Sequence, residues 1–104
     1  MMSFNHASTK NDYEDGLAAA HKGEFAAALR LWTPLAEQGN ANAQYSLGVL
    51  YETGEGVAQD YKTAVKWYTL AAEQGNADAQ YNLGDMYYQD ADVVLDHKGI
   101  IRKR

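Results

Sequence analysis

Ala36–Gly48 reads AEQGNANAQYSLG, and Ala72–Gly84 reads AEQGNADAQYNLG. The two stretches lie 36 residues apart and agree at eleven of thirteen positions, where unrelated segments would share about one by chance. A period of this length marks stacked structural units, each too small to bury its own apolar face. The register holds on both sides of the pair. Tyr51 falls on Tyr87, Val57 on Val93, Asp60 on Asp96 and Lys62 on Lys98; upstream, Phe25 falls on Tyr61, Ala28 on Ala64, Leu29 on Val65 and Trp32 on Tyr68.

Each unit reads as two helices. Tyr61, Ala64, Val65, Tyr68, Ala71 and Ala72 recur at helical spacing and form one apolar face. Phe25, Ala28, Leu29, Trp32, Leu35 and Ala36 repeat that face one unit earlier. Asp60 stands where an N-cap is needed, and Gly39 and Gly75 stand where a left-handed residue ends a helix. Pro34 falls inside the earlier helix and removes the amide that would bond Arg30, so a kink is expected there. Asn40 then caps a helix from Ala41 to about Thr53, with a core stripe of Ala43, Leu47, Leu50 and Tyr51. The copies are Ala79, Leu83, Met86 and Tyr87. Gly48 and Gly84 sit mid-helix, where glycine costs about 1 kcal/mol relative to alanine. Their shared register predicts a neighbouring helix that comes too close for a Cβ.

An earlier, shorter unit is expected over NDYEDGLAAAHKG (11–23), with Leu17, Ala20 and His21 in the places of Leu47, Leu50 and Tyr51. That alignment deletes about six residues, the equivalent of GEGVAQ. The expected organisation is a disordered lead over residues 1–10 and one repeat array over 11–104. Its units run at about 11–39, 40–75 and a truncated 76–104.

The helix pair, its AEQGNADAQYNLG, the GEGV loop and DYKTAVKWYTLAAEQG resemble the Sel1-like repeat, a relative of the tetratricopeptide repeat. The resemblance covers about residues 11–98. It implies an all-α fold, an α–α superhelix in which antiparallel helix pairs stack as a short right-handed solenoid. In the last unit Asp90 and Asp92 replace the loop glycines Gly54 and Gly56. A second helix begins there in register, with His97, Ile100, Ile101 and Arg104 on Tyr61, Ala64, Val65 and Tyr68. So short a helix is marginal alone. Cysteine pairs mark some bacterial members; this chain has no cysteine.

Composition removes several function classes. Without cysteine there is no disulfide, thiolate metal site or cysteine nucleophile. Residues 1–96 carry five basic and fourteen acidic side chains, a balance of −9, and residues 97–104 carry four basic ones. An acidic body argues against nucleic acid as a partner. No apolar run is long enough to span a bilayer, and MMSFNHASTKND has no apolar leader core. A cytoplasmic setting is therefore the default, with a periplasmic or secreted one if a leader has been removed. His6, His21 and His97 form no ligand pair at helical spacing, so no metal is expected. His21 reads as a boundary residue packed on its neighbour. GEG at 54–56 lacks the lysine of a phosphate loop, and Trp32 and Trp67 read as core. No cofactor and no catalytic constellation is expected, so the protein is read as a non-enzyme.

That leaves surfaces. Opposite the core stripe of the 41–53 helix lie Asn42, Tyr45, Val49 and Glu52, copied as Asp78, Tyr81, Asp85 and Tyr88. If the first helix of each pair lines the concave face, these eight residues make a shallow site of tyrosines among acidic and amide groups, suited to recognition. The expected role is an interaction module for a peptide or protein segment, basic or amphipathic because the body is acidic. The alternative is self-association into a dimer through Ala79, Leu83 and Met86, left thinly covered by the incomplete last unit.

Overall fold

A computed structural model describes residues 9–89, 93–95 and 101–103. Five helices follow one another: α1 (Thr9–His21), α2 (Phe25–Glu37), α3 (Ala41–Thr53), α4 (Tyr61–Glu73) and α5 (Ala77–Gln89). Each packs against the next, so α1–α2 and α3–α4 are successive pairs and α5 opens a third. This is the all-α solenoid that the repeat implies. The expected lead over 1–10 falls mostly outside the described residues, and Thr9 and Lys10 are already helical.

Local chemistry sets the boundaries. The Asn40 side chain accepts the Ala43 amide at 2.8 Å, and Asn76 accepts that of Ala79 at the same 2.8 Å. Gly39 and Gly75 take φ of +102° and +91°, which a side chain would strain, and so end α2 and α4. Despite the proline, α2 runs through Pro34 to Glu37 as one helix.

Asp60 caps α4. It accepts the Thr63 amide at 3.2 Å and, on its other oxygen, the Thr63 hydroxyl at 2.7 Å. The hydroxyl bond first and the amide bond second hold its carboxyl below the ordinary 3.8. A carboxyl lowered on folding stabilises fully above its unfolded pKa and stops doing so as pH falls through the folded value. The side-chain carboxyl resonance of Asp60 should therefore titrate below its midpoint in the urea-unfolded chain. Thr63→Ala should raise that midpoint; a native midpoint at or above the unfolded one would contradict the cap.

The core along the stack is built of two clusters. Ala28, Trp32, Leu35, Ala43 and Leu47 form one cluster, to which Trp67 adds from the next pair. Ala64, Tyr68, Ala71, Ala72, Ala79 and Leu83 form the next. Both tryptophans are buried, as their place on the apolar faces implies.

Gly48 supports the close-approach reading: a Cβ there would overlap the Tyr68 ring. The same device recurs at Gly16, where a Cβ would overlap the Trp32 indole. Tyr13 lies on Trp32 with ring centroids 5.8 Å apart, and Tyr45 lies on Tyr68 at 5.9 Å. Gly16 is thus the counterpart of Gly48, an offset of 32 residues, while Trp32 keeps its offset of 36 from Tyr68. The alignment of Leu17, Ala20 and His21 with Leu47, Leu50 and Tyr51 is consequently two residues out. The α1–α2 turn is shorter by four residues, not six. In the corrected register His21 falls on the exposed Thr53, and it is itself exposed rather than packed.

Two expectations about the third unit change. Ile101 lies in a strand: β1 (Val93–Leu95) pairs antiparallel with β2 (Ile101–Lys103), Val94 opposite Arg102. The β-branched Val93, Val94 and Ile101 favour extended backbone. His97, Ile100 and Arg104 lie outside the described residues. Ala79 and Leu83, expected to be thinly covered, are both 0% exposed. The α4 face of Ala64, Tyr68, Ala71 and Ala72 already buries them, and Met86, half-buried, packs on the same cluster. Of the three residues of the dimer reading, Met86 alone keeps some exposed surface.

Candidate functional site

The eight candidate residues fall on one side of α3 and α5, but their surroundings differ. On α3, Tyr45 is half-buried, with its ring on Tyr68. Val49 packs on the second core cluster. Glu52 accepts the Tyr68 hydroxyl at 2.7 Å, and that hydroxyl oxygen accepts the Asn82 amide from α5 at 3.1 Å. Asn42 is exposed, with its carbonyl 3.4 Å from the Asn76 amide. The α3 stripe is therefore largely taken up by the junction with the helices that follow.

The α5 stripe is open. Tyr81 is 76% and Tyr88 88% exposed. Asp78 and Asp85 are exposed on the same face, and Asp85 already takes part in an interaction. In the corrected register α1 contributes Tyr13, Leu17 and Ala20, all half-buried. Tyr13, Tyr45 and Tyr81 then occupy one position in three successive first helices. Tyr13 reaches Ser46 of α3 (hydroxyl oxygens 3.2 Å apart), and Tyr45 reaches Asn82 of α5, the counterpart of Ser46.

Burial, and next the charge of Asp78, pushes the Tyr45 phenol up, against a lowering from Asn82. Burial, and next the bond to Glu52, pushes Tyr68 up strongly. Both therefore stay protonated, and Tyr68 remains a donor to Glu52. They are contact and packing groups rather than acid–base groups. Among the described residues no cluster of His, Asp or Glu is arranged to hold a metal ion. None of the described helices is long and apolar enough to cross a membrane.

A ladder of glutamines escaped the sequence reading. Gln44, 4% exposed, donates to the Ala36 carbonyl at 3.1 Å, and Gln80 donates to that of Ala72 at 3.2 Å. Gln74 joins two units by donating to the Gly39 carbonyl and to the Gln44 side-chain oxygen, each at 2.9 Å. The signal was present: Gln44 and Gln80 are the same residue in both copies, which a solvated position would not require.

Comparison with known proteins follows the same period. The family model described as Sel1 repeat matches residues 41–76 and 77–98, more than half of the chain. Among solved structures, c5321 of uropathogenic Escherichia coli, a protective antigen displaying an SLR fold, is 36% identical with a TM-score of 0.74. The match covers 78% of this chain and 18% of that one. A Sel1 repeat protein from Oxalobacter formigenes is 33% identical with a TM-score of 0.71, covering 79% and 35%. The chain thus spans about a fifth and a third of the two solved chains. No protein of curated function matches.

Proposed function

The chain belongs to the Sel1 repeat family, and from that premise we propose that it is a non-catalytic interaction module, holding a segment of another protein on the face formed by the first helix of each pair. The observation that carries this reading is the exposure of Tyr81 and Tyr88 on one side of α5. A tyrosine ring left in water forgoes the burial that stabilises most aromatic side chains, and tyrosine is among the residue types enriched where proteins meet. Two of them share a stripe whose α3 copy is packed. Asp78 and Asp85 beside them, on a body with a −9 balance over residues 1–96, favour a basic or amphipathic segment.

Photo-crosslinking in the native host tests this. A benzophenone amino acid replaces Tyr81, Tyr88 or, as control, Tyr61, which is 58% exposed on α4. The protein crosslinked through 81 and 88 is identified, purified and titrated against the chain and its Asp78, Asp85 and Tyr88 alanine variants. Capture specific to α5, with weakened binding by those variants, is the expected result. Equal capture from position 61, or unchanged affinity in all three variants, would overturn the reading.

A further inference from the structure

The α3 stripe shows what its α5 copy is shaped to receive. Tyr45, Val49 and Glu52 are covered from the side by the helices that follow, with Asn82 of α5 reaching both Tyr45 and Tyr68. On α5 the same positions, Tyr81, Asp85 and Tyr88, face outward. The β1–β2 hairpin lies against α5, yet both tyrosines keep most of their surface in water.

Charge separates the two stripes. Val49 is copied as Asp85 and Asn42 as Asp78, so an apolar and an amide position become acidic on the open helix. Asp85 is already engaged; Asp78 with Tyr81 and Tyr88 carries the argument. Asp78 and Tyr81 are neighbours on one helical face. Tyr81 and Tyr88 lie two turns apart, about 10.5 Å along the axis at 1.5 Å per residue. A guanidinium can stack on a tyrosine ring while its edge meets a carboxylate, which an ammonium does less well.

We propose that this stripe docks a cationic amphipathic helix of a partner protein, laid along α5, with arginines seven residues apart placed over Tyr81 and Tyr88. The proposal rests on the interaction-module reading and names its occupant. Two helices side by side share one rise, so residues seven apart on the partner match Tyr81 and Tyr88 without strain. A second copy of the chain is a poor occupant. A parallel two-fold pairing would set each Asp78 against its own copy, which like charge opposes. An antiparallel one would set Asp78 opposite Tyr88, where α5 has no arginine to offer either tyrosine.

The test uses the full chain and an alanine-rich helical peptide of about 18 residues bearing two arginines seven apart. The control peptide has the same composition with the arginines five apart, on different faces. The expected result is binding of the first, seen as shifts in Tyr81 and Tyr88 ring resonances, with the control about tenfold weaker. Asp78→Asn and Tyr81→Ala should each weaken the first peptide several-fold and lessen the preference for arginine over lysine, whereas Tyr61→Ala should bind it as the parent does. Equal binding of both peptides would reduce the effect to general charge attraction and overturn the proposal. So would a concentration-dependent dimer in sedimentation that protects Tyr81 and Tyr88. If crosslinking captures a partner at 81 and 88 while neither peptide binds, this inference fails and the interaction-module reading stands.

Discussion

Tyr68→Ala is expected to cost about 3–5 kcal/mol, the range for deleting a fully buried aromatic ring. Tyr68 is 0% exposed. Its ring fills the space left by the absent Cβ of Gly48 and supports Tyr45 at 5.9 Å. Its hydroxyl joins Glu52 of α3 to Asn82 of α5, at 2.7 and 3.1 Å. One side chain therefore ties its own helix pair to the next. Truncation leaves a cavity and two polar groups without their partner. Domains of this size have a total stability of about 5–15 kcal/mol, so urea denaturation should show the midpoint collapsing or no native baseline. Tyr68→Phe separates the contributions: the ring stays, and the lost bonds cost about 1–2 kcal/mol. Tyr81→Ala, on the exposed ring of α5, should stay within about 0.5 kcal/mol. If Tyr68→Ala cost no more than Tyr81→Ala, the junction would not depend on this ring.

The contrast between those tyrosines shows where the sequence was sufficient and where it was not. Caps and stops were legible because each depends on one residue type at one place: Asn40 and Asp60 accept the amides expected of them. The α1 register was not, because the run Leu17–Ala20 offers little contrast between inward and outward positions. Gly16 could have settled it, since the close-approach argument applied to Gly48 applies there too. The last unit misled for another reason. His97, Ile100 and Ile101 keep the helical spacing, but a β-branched residue such as Ile101 fits extended backbone as readily, and Ile101 is in β2.

The candidate site divided on a property that helical spacing does not contain. Subtracting the core stripe from an amphipathic helix leaves a face assumed to meet water. In a stack, each inner helix packs against its own partner and also meets the unit after it. Tyr45, Val49 and Glu52 are inside that second contact, whereas Tyr81 and Tyr88 are exposed. The distinction depends on position in the array, and no single repeat carries it.

Gly48→Ala is the other large effect expected, and its sign is the informative part. In a solvated helix this substitution would stabilise by about 1 kcal/mol. At position 48 the new methyl would overlap the Tyr68 ring. The ring is confined by Glu52 and Asn82 at its hydroxyl and by Tyr45 on its face. Overpacking of this kind costs about 1–3 kcal/mol or more. Taking the upper end of that range because the ring has little room to retreat, the net result should be a loss of about 2 kcal/mol, or roughly 8–16 °C in Tm for a domain of this size. A double-mutant cycle checks the cause. In a Tyr68→Leu background the aromatic ring is gone, and the same Gly48→Ala change should become neutral or stabilising. A loss that persisted there would place the clash with some other group. Gly16→Ala should follow the same rule against Trp32, whose indole donates to the Tyr13 carbonyl at 3.1 Å and is equally unable to withdraw. Two glycines in different repeats, each opposite a buried ring, should thus both reverse the ordinary helix preference, and each should recover it when its own ring is removed.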